Sequence, residues 1–72
     1  MANILIPIAN GFEEIEAISI IDICRRANIK VTIAGVKDLE TIGAHGIKII
    51  SDTKIENISS DDFDMIVLPG GL

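Results

Sequence analysis

Two short β-branched runs bracket a stretch whose charges run from acidic to basic, and this order constrains the fold more than any other feature. Asn3 to Ala9 (NILIPIA) reads as a buried strand closed by Asn10-Gly11. Pro7 inside it is the one awkward residue, because proline cannot donate to a ladder. From Glu13 to Ala27 the spacing predicts a helix of about 22 Å at 1.5 Å per residue. Glu13, Glu14 and Glu16 stand at its start and Arg25 and Arg26 at its end, the polarity that complements a helix dipole. Asn28 suits a left-handed cap. Lys30 to Val36 (KVTIAGV) supplies a second strand, so the chain makes strand–helix–strand within its first 36 residues. A right-handed parallel unit is the expected outcome.

The remaining segments extend the pattern. Glu40 to Ile50 (ETIGAHGIKII), punctuated by Gly43 and Gly46, reads as a β-excursion such as a hairpin. Ser59-Ser60-Asp61-Asp62 is a polar turn. Asp64 to Leu68 (DMIVL) reads as a further buried strand that runs into Pro69-Gly70-Gly71. Strands alternating with helix predict an α/β fold with a mostly parallel sheet. With no repeat or linker, 72 residues allow one small domain at most. A chain of this size buries only about 60% of its unfolded surface. The sequence stops just after a strand, where a connection normally begins, and this predicts part of a domain: residues 1–72 as the N-terminal part of one α/β unit.

Composition removes several classes of function. A content of 49% hydrophobic and 24% charged residues is far from a disordered profile. Six basic against eleven acidic residues leave a net charge of −5, and no basic run is present. Nucleic acid and anionic membranes are therefore poor partners. No apolar stretch is long enough to span a bilayer, and the N-terminus lacks signal-peptide features, so a cytoplasmic location is expected. A single cysteine, Cys24, excludes an internal disulfide and a Cys-rich metal site.

The candidate chemistry begins with Glu16. At 100° per residue, Ile23, Ala27, Ile20, Cys24, Ala17 and Ile21 share one broad arc, and Glu16 projects into it. Burial there would raise its pKa and favour a protonated acid. The plainer alternative is an acid that bends out to solvent or caps an amide at the helix start. Topology sharpens the choice, because this helix starts at the carboxyl edge of the strands, where open α/β folds bind ligands. The last strand delivers Gly70 and Gly71 to the same edge, where paired glycines can present N–H groups to an oxyanion or simply make a tight turn. Ile15 and Ile18, beside the Asp22/Arg26 pair, are surface residues or part of a homodimer contact. Cys24 lies late in the helix on the core arc, a setting that disfavours a thiolate. His45 is expected at a turn or rim. No phosphate-binding glycine motif or metal-ligand cluster is evident.

Three elements taken together resemble the ThiJ/PfpI superfamily, in its parkinsonism-associated deglycase-like branch: GFEEIEA, the RRA helix end followed by KVTIAG, and DMIVLPGG. The resemblance spans essentially the whole chain. It implies a flavodoxin-like, Rossmann-like three-layer sandwich, of which only the N-terminal portion is present, and a homodimer. It also implies an active site that joins a cysteine on a nucleophile elbow to a glutamate of the first helix. Glu16 matches that glutamate, Gly70 and Gly71 match the pocket-lining glycines, and Ile15 and Ile18 fall on the helix of the family's dimer contact. The family's cysteine and histidine lie beyond its LPGG motif, and Cys24 does not align with the elbow.

The resemblance implies an enzyme in which a cysteine thiolate attacks a small α-oxoaldehyde such as methylglyoxal. Glu16 serves as acid/base and Gly70 and Gly71 steady the oxyanion, with no metal or organic cofactor. The 72-residue chain alone is expected to be poorly folded and without thiol catalysis, and its own C-terminal fragment is a candidate partner. The rival readings are a redox sensor or holding chaperone of the same family, and a peptidase or amidase.

Overall fold

The computed structural model describes residues 2–71. Strands β1 (Asn3–Ile8), β2 (Lys30–Gly35), β5 (Thr53–Lys54) and β6 (Met65–Ile66) form one sheet in the order β5-β2-β1-β6, every pair parallel. Helix α1 (Glu14–Arg26) crosses between β1 and β2. Strands β3 (Glu40–Ile42) and β4 (Lys48–Ile50) form a separate antiparallel hairpin. Single 3₁₀ turns at Ile55–Asn57 and Ser60–Asp62 carry the chain from β5 to β6. The strand–helix–strand unit, the hairpin and the mostly parallel sheet are as the sequence predicts.

Pro7 is accommodated by its place in β1. Ile8 O faces β2, where it accepts from Val36 N, while Leu5 O faces β6, where it accepts from Val67 N. Alternation turns Pro7 toward the β6 side. Pairing with β6 has ended by then, the last register pair being Leu5 with Ile66. The missing N–H therefore interrupts no ladder.

Helix α1 ends in a Schellman motif. Ile29 N donates to Cys24 O at 2.9 Å, Asn28 N donates to Arg25 O at 3.1 Å, and Asn28 itself is left-handed with φ 61°. At the same end Arg25 reaches Val31 O and Asp52, and Asp52 accepts from Ile33 N at 2.9 Å. These contacts fix the helix end against β2 and the approach to β5.

The core gathers Ile4, Ile6, Ile8, Phe12, Ala17, Ile21, Val31 and Ile33. Two expectations are corrected by it. The buried stripe of α1 is Glu14, Ala17 and Ile21, with Ile20 and Cys24 half-buried against the core. Ile23 is 65% exposed, and Ala27 and Glu16 are exposed as well. The sheet packs on the flank of the apolar arc away from Glu16, so the acid that enters the interior is Glu14. The second correction concerns Asp64 to Leu68. Among the described residues only Met65 and Ile66 are ladder-paired, β1 is the one neighbour of β6, and Met65, Ile66 and Leu68 are exposed.

Candidate functional site at the start of helix 1

Helix α1 begins without a side-chain cap: Glu13 is the N-cap residue and makes no capping hydrogen bond. Three other contacts hold this end. Glu13 N donates to Gly70 O at 2.8 Å. Gly70 N donates to Glu16 Oε1 at 3.0 Å. The first turn of α1 thus holds the Gly70 residue from both its amide and its carbonyl, although the two segments are 54 residues apart in sequence. Parallel pairing accounts for the meeting, since β1 leads into α1 and β6 leads into Pro69 at the same edge of the sheet. Gly71 follows with φ 90°, and a Cβ there would lie 2.7 Å from Gly11 O and 2.9 Å from Glu13 N. Only glycine fits so close to the loop after β1.

The third contact involves Glu14. Its carboxylate is buried beneath the β3–β4 turn, where Oε2 accepts from His45 N at 2.7 Å and from Ile47 N at 3.2 Å. Oε1 meets His45 Nδ1 at 3.0 Å. Gly43 makes room for it, because a Cβ at that position would run into the Glu14 carboxyl group. Burial by itself would raise the Glu14 pKa. The His45 side chain, with backbone amides of Glu14, Ile47 and His45, outweighs that effect and holds the group at about 2. His45 is correspondingly raised, first by its hydrogen bond to Glu14 and then by the charges of Glu14 and Glu13. An anion so near a helix N-terminus also gains from the helix dipole.

Glu13, Glu14 and His45 each place one possible metal ligand within 4.8 Å of the others. Both Glu14 oxygens are already satisfied by N–H groups, and a cation would have to displace the His45 Nδ1 contact. The trio reads as a hydrogen-bonded ion-pair network that joins hairpin to helix.

Two shallow hollows flank this first turn. One, of about 360 Å³, is lined by Ile15, Glu16, Ser19, Ile20, Leu68 and Pro69. The other, of about 390 Å³, lies between Glu13, Glu14, Ile15, Ile18, Ser19, His45 and Ile47. Ile15 and Ile18 are 74% and 42% exposed at this second hollow.

The structure therefore brings Glu16 and Gly70 into direct contact, with Gly71 beside them. The Gly70 N–H is given to Glu16, so an oxyanion would have to share or displace that bond. Cys24 is half-buried at the far end of α1, against the core. His45 is in the hairpin turn, as the sequence predicts, but its link to Glu14 is new. Glu14 precedes Ala17 by three residues and Ile21 by seven, the spacing of a core-facing stripe, but nothing in the sequence ties it to His45.

A mostly parallel sheet, a first helix that starts at its carboxyl edge and a glutamate of that helix bound to a Pro-Gly-Gly turn define a flavodoxin-like α/β protein with a candidate site at that edge. The chain belongs to the DJ-1/PfpI family, which residues 2–72 match. It is 47% identical over 71 residues to Protein DJ-1 homolog A of Arabidopsis thaliana, covering 97% of this chain and 18% of that protein. To Protein dj-1beta of Drosophila melanogaster it is 45% identical over 69 residues, covering 94% and 37%. Among solved structures, oxidised Toxoplasma gondii DJ-1 superposes with a TM-score of 0.95 at 36% identity, covering 100% of this chain and 40% of that one. Drosophila melanogaster DJ-1beta superposes with a TM-score of 0.92 at 42% identity, covering 99% and 39%. The chain spans between 16% and 41% of the length of these and similar curated relatives. Among the described residues, no helix is long and apolar enough to cross a membrane.

Proposed function

We propose that the protein works by cysteine chemistry on small α-oxoaldehydes such as methylglyoxal, with Glu16 as the acid/base and a nucleophilic cysteine outside these 72 residues. The observation that supports this most directly is the Glu16–Gly70 hydrogen bond at the carboxyl edge of the sheet. It places a carboxylate beside a glycine turn, next to a hollow lined by Ile20, Leu68 and Pro69 that suits a small, partly apolar molecule. In the reaction the Glu16 carboxylate takes the thiol proton, and sulfur attacks the aldehyde carbon. The oxyanion that forms is steadied by the Gly71 N–H, and by the Gly70 N–H as Glu16 gives it up, before Glu16 returns the proton to give a hemithioacetal. Glu16→Gln in the complete protein should lower kcat for methylglyoxal by about 10²-fold or more with folding intact. Unchanged turnover removes Glu16 from the mechanism.

A second reading has the same cysteine acting as a redox sensor, with Glu16 hydrogen-bonding the oxidised sulfur. That a relative, Toxoplasma gondii DJ-1, is described as oxidised is the observation in its favour. Ready sulfinate formation at one cysteine, with methylglyoxal loss no faster than in an enzyme-free control, would select this reading.

Homodimerisation belongs to the same proposal. The exposed Ile15, Ile18 and Ile47 surround one hollow, and an apolar rim of this kind suits a contact with a second copy.

A further inference from the structure

We propose that Glu14 is the positioning residue for Glu16: seated beneath the β3–β4 turn, it sets the first turn of α1 so that Glu16 meets the Gly70 amide. This rests on the reading of Glu16 as the acid/base. Glu14 and Glu16 are two residues apart and point about 160° apart around the helix. One carboxylate holds the hairpin and the other holds the turn after β6, so the first helical turn is fixed from both sides.

The argument for a dedicated function is in the way Glu14 is accommodated. This helix has no capping side chain at Glu13, so its start must be located by something else. The loop before it is already tied to the hairpin by Gly11 N to Ile42 O, by Ile42 N to Asn10 Oδ1 and by Ala44 N to Phe12 O. Those bonds fix the loop but none of them reaches the helix itself. Glu14 is the helical residue that does, through three N–H donors and a space that Gly43 leaves open. A rigid turn moves as a unit, so loss of the Glu14 contact shifts Glu16 with it. Misplacement of a reacting group by about 1 Å is enough to cost a large factor in rate.

The test uses the complete protein with Glu14→Ala and Glu14→Gln, and reads the Gly70 amide directly. Glu14→Ala should lower hydrogen-exchange protection of the Gly70 N–H by about tenfold. It should reduce kcat for methylglyoxal by a similar factor and leave KM within about twofold. Glu14→Gln keeps an oxygen for the His45 and Ile47 amides and should restore most of both. Should Glu14→Ala not fold, His45→Ala is the milder variant: with one of three donors gone, Gly70 protection should fall by about threefold. Unchanged Gly70 protection in folded Glu14→Ala, or in His45→Ala if only that variant folds, overturns the proposal, as does a loss that Glu14→Gln fails to restore. Failure of the acid/base reading looks different: Glu16→Gln would leave turnover unchanged while Gly70 protection still answered to Glu14.

Discussion

Glu16 and Gly70 are separated by 54 residues and joined by one hydrogen bond of 3.0 Å, from the Gly70 amide to the Glu16 carboxylate. The bond exists because two parallel strands end at the same edge, one entering a helix and the other a glycine turn. Glu13 completes the arrangement by donating its own amide to the Gly70 carbonyl at 2.8 Å. The fold therefore delivers its candidate acid/base already oriented against the backbone that would line a pocket, which reduces the reorganisation a reaction there requires.

The Glu14–His45 pair predicts a stability profile with two edges. Glu14 is held at about 2, below its ordinary value near 4.5. Its contribution is complete above pH 4.5 and is lost as pH falls toward 2. His45 is raised above 6.5, so its contribution is complete below pH 6.5 and is lost as pH rises through the raised value. Urea midpoints of the complete protein, measured from pH 2 to 9, should fall at both ends. Glu14→Gln should flatten both edges and return the His45 NMR titration toward 6.5. A His45 titration that is the same in the two proteins would disconnect the pair.

Glycine at 43 is required for space, whereas glycine at 46 is favoured by conformation alone. A Cβ at Gly43 runs into the Glu14 carboxyl, while one at Gly46 meets nothing within 4 Å, although φ there is 83°. Gly43→Ala should destabilise by about 1–3 kcal/mol, the range for overpacking a filled site. Gly46→Ala should cost about 1 kcal/mol from backbone strain alone. Chemical denaturation of the two variants distinguishes them, and His45 should lose its raised pKa only in Gly43→Ala.

How much of this was legible in the sequence depended on the kind of signal. The β1–α1–β2 unit was readable because β-branched runs and sorted charges act locally, and Asn28 marked the helix end by its tolerance of positive φ. The hairpin was readable from Gly43 and Gly46. The buried face of α1 was not legible, because its isoleucines cover a broad arc and the arc alone does not say which flank meets the sheet. The stripe spacing admits Glu14 to the core, but a carboxylate is buried only when donors await it. Those donors come from His45 and Ile47, more than 30 residues away. The exposure of Met65 and Leu68 among the described residues was likewise hidden, since apolar composition does not reveal which strands lie beside a given one.

Asn28 offers a local check on the helix end. Its φ of 61° suits asparagine and glycine, and the Schellman bonds from Asn28 and Ile29 depend on it. Asn28→Gly should leave stability within about 0.5 kcal/mol, because glycine takes this conformation freely. Asn28→Val should cost about 1–2 kcal/mol, since a β-branched residue resists positive φ. Equal melting temperatures for the two variants would show that the cap carries no strain.

The proposed dimer contact makes the sharpest prediction about assembly. Ile15 is 74% exposed and Ile18 is 42% exposed, on a hollow that also includes Ile47 and His45. Glutamate at either helical position would bury a charge in such a contact, beside Glu13 and Glu14 at the same hollow. Ile18→Glu in the complete protein should therefore shift sedimentation velocity from dimer to monomer. Asp22→Ala, whose side chain pairs with Arg26 at 3.1 Å in a mostly exposed salt bridge, should leave it unchanged. A dimer that survives both Ile15→Glu and Ile18→Glu must use another surface, and these isoleucines would then be ordinary exposed residues of the helix.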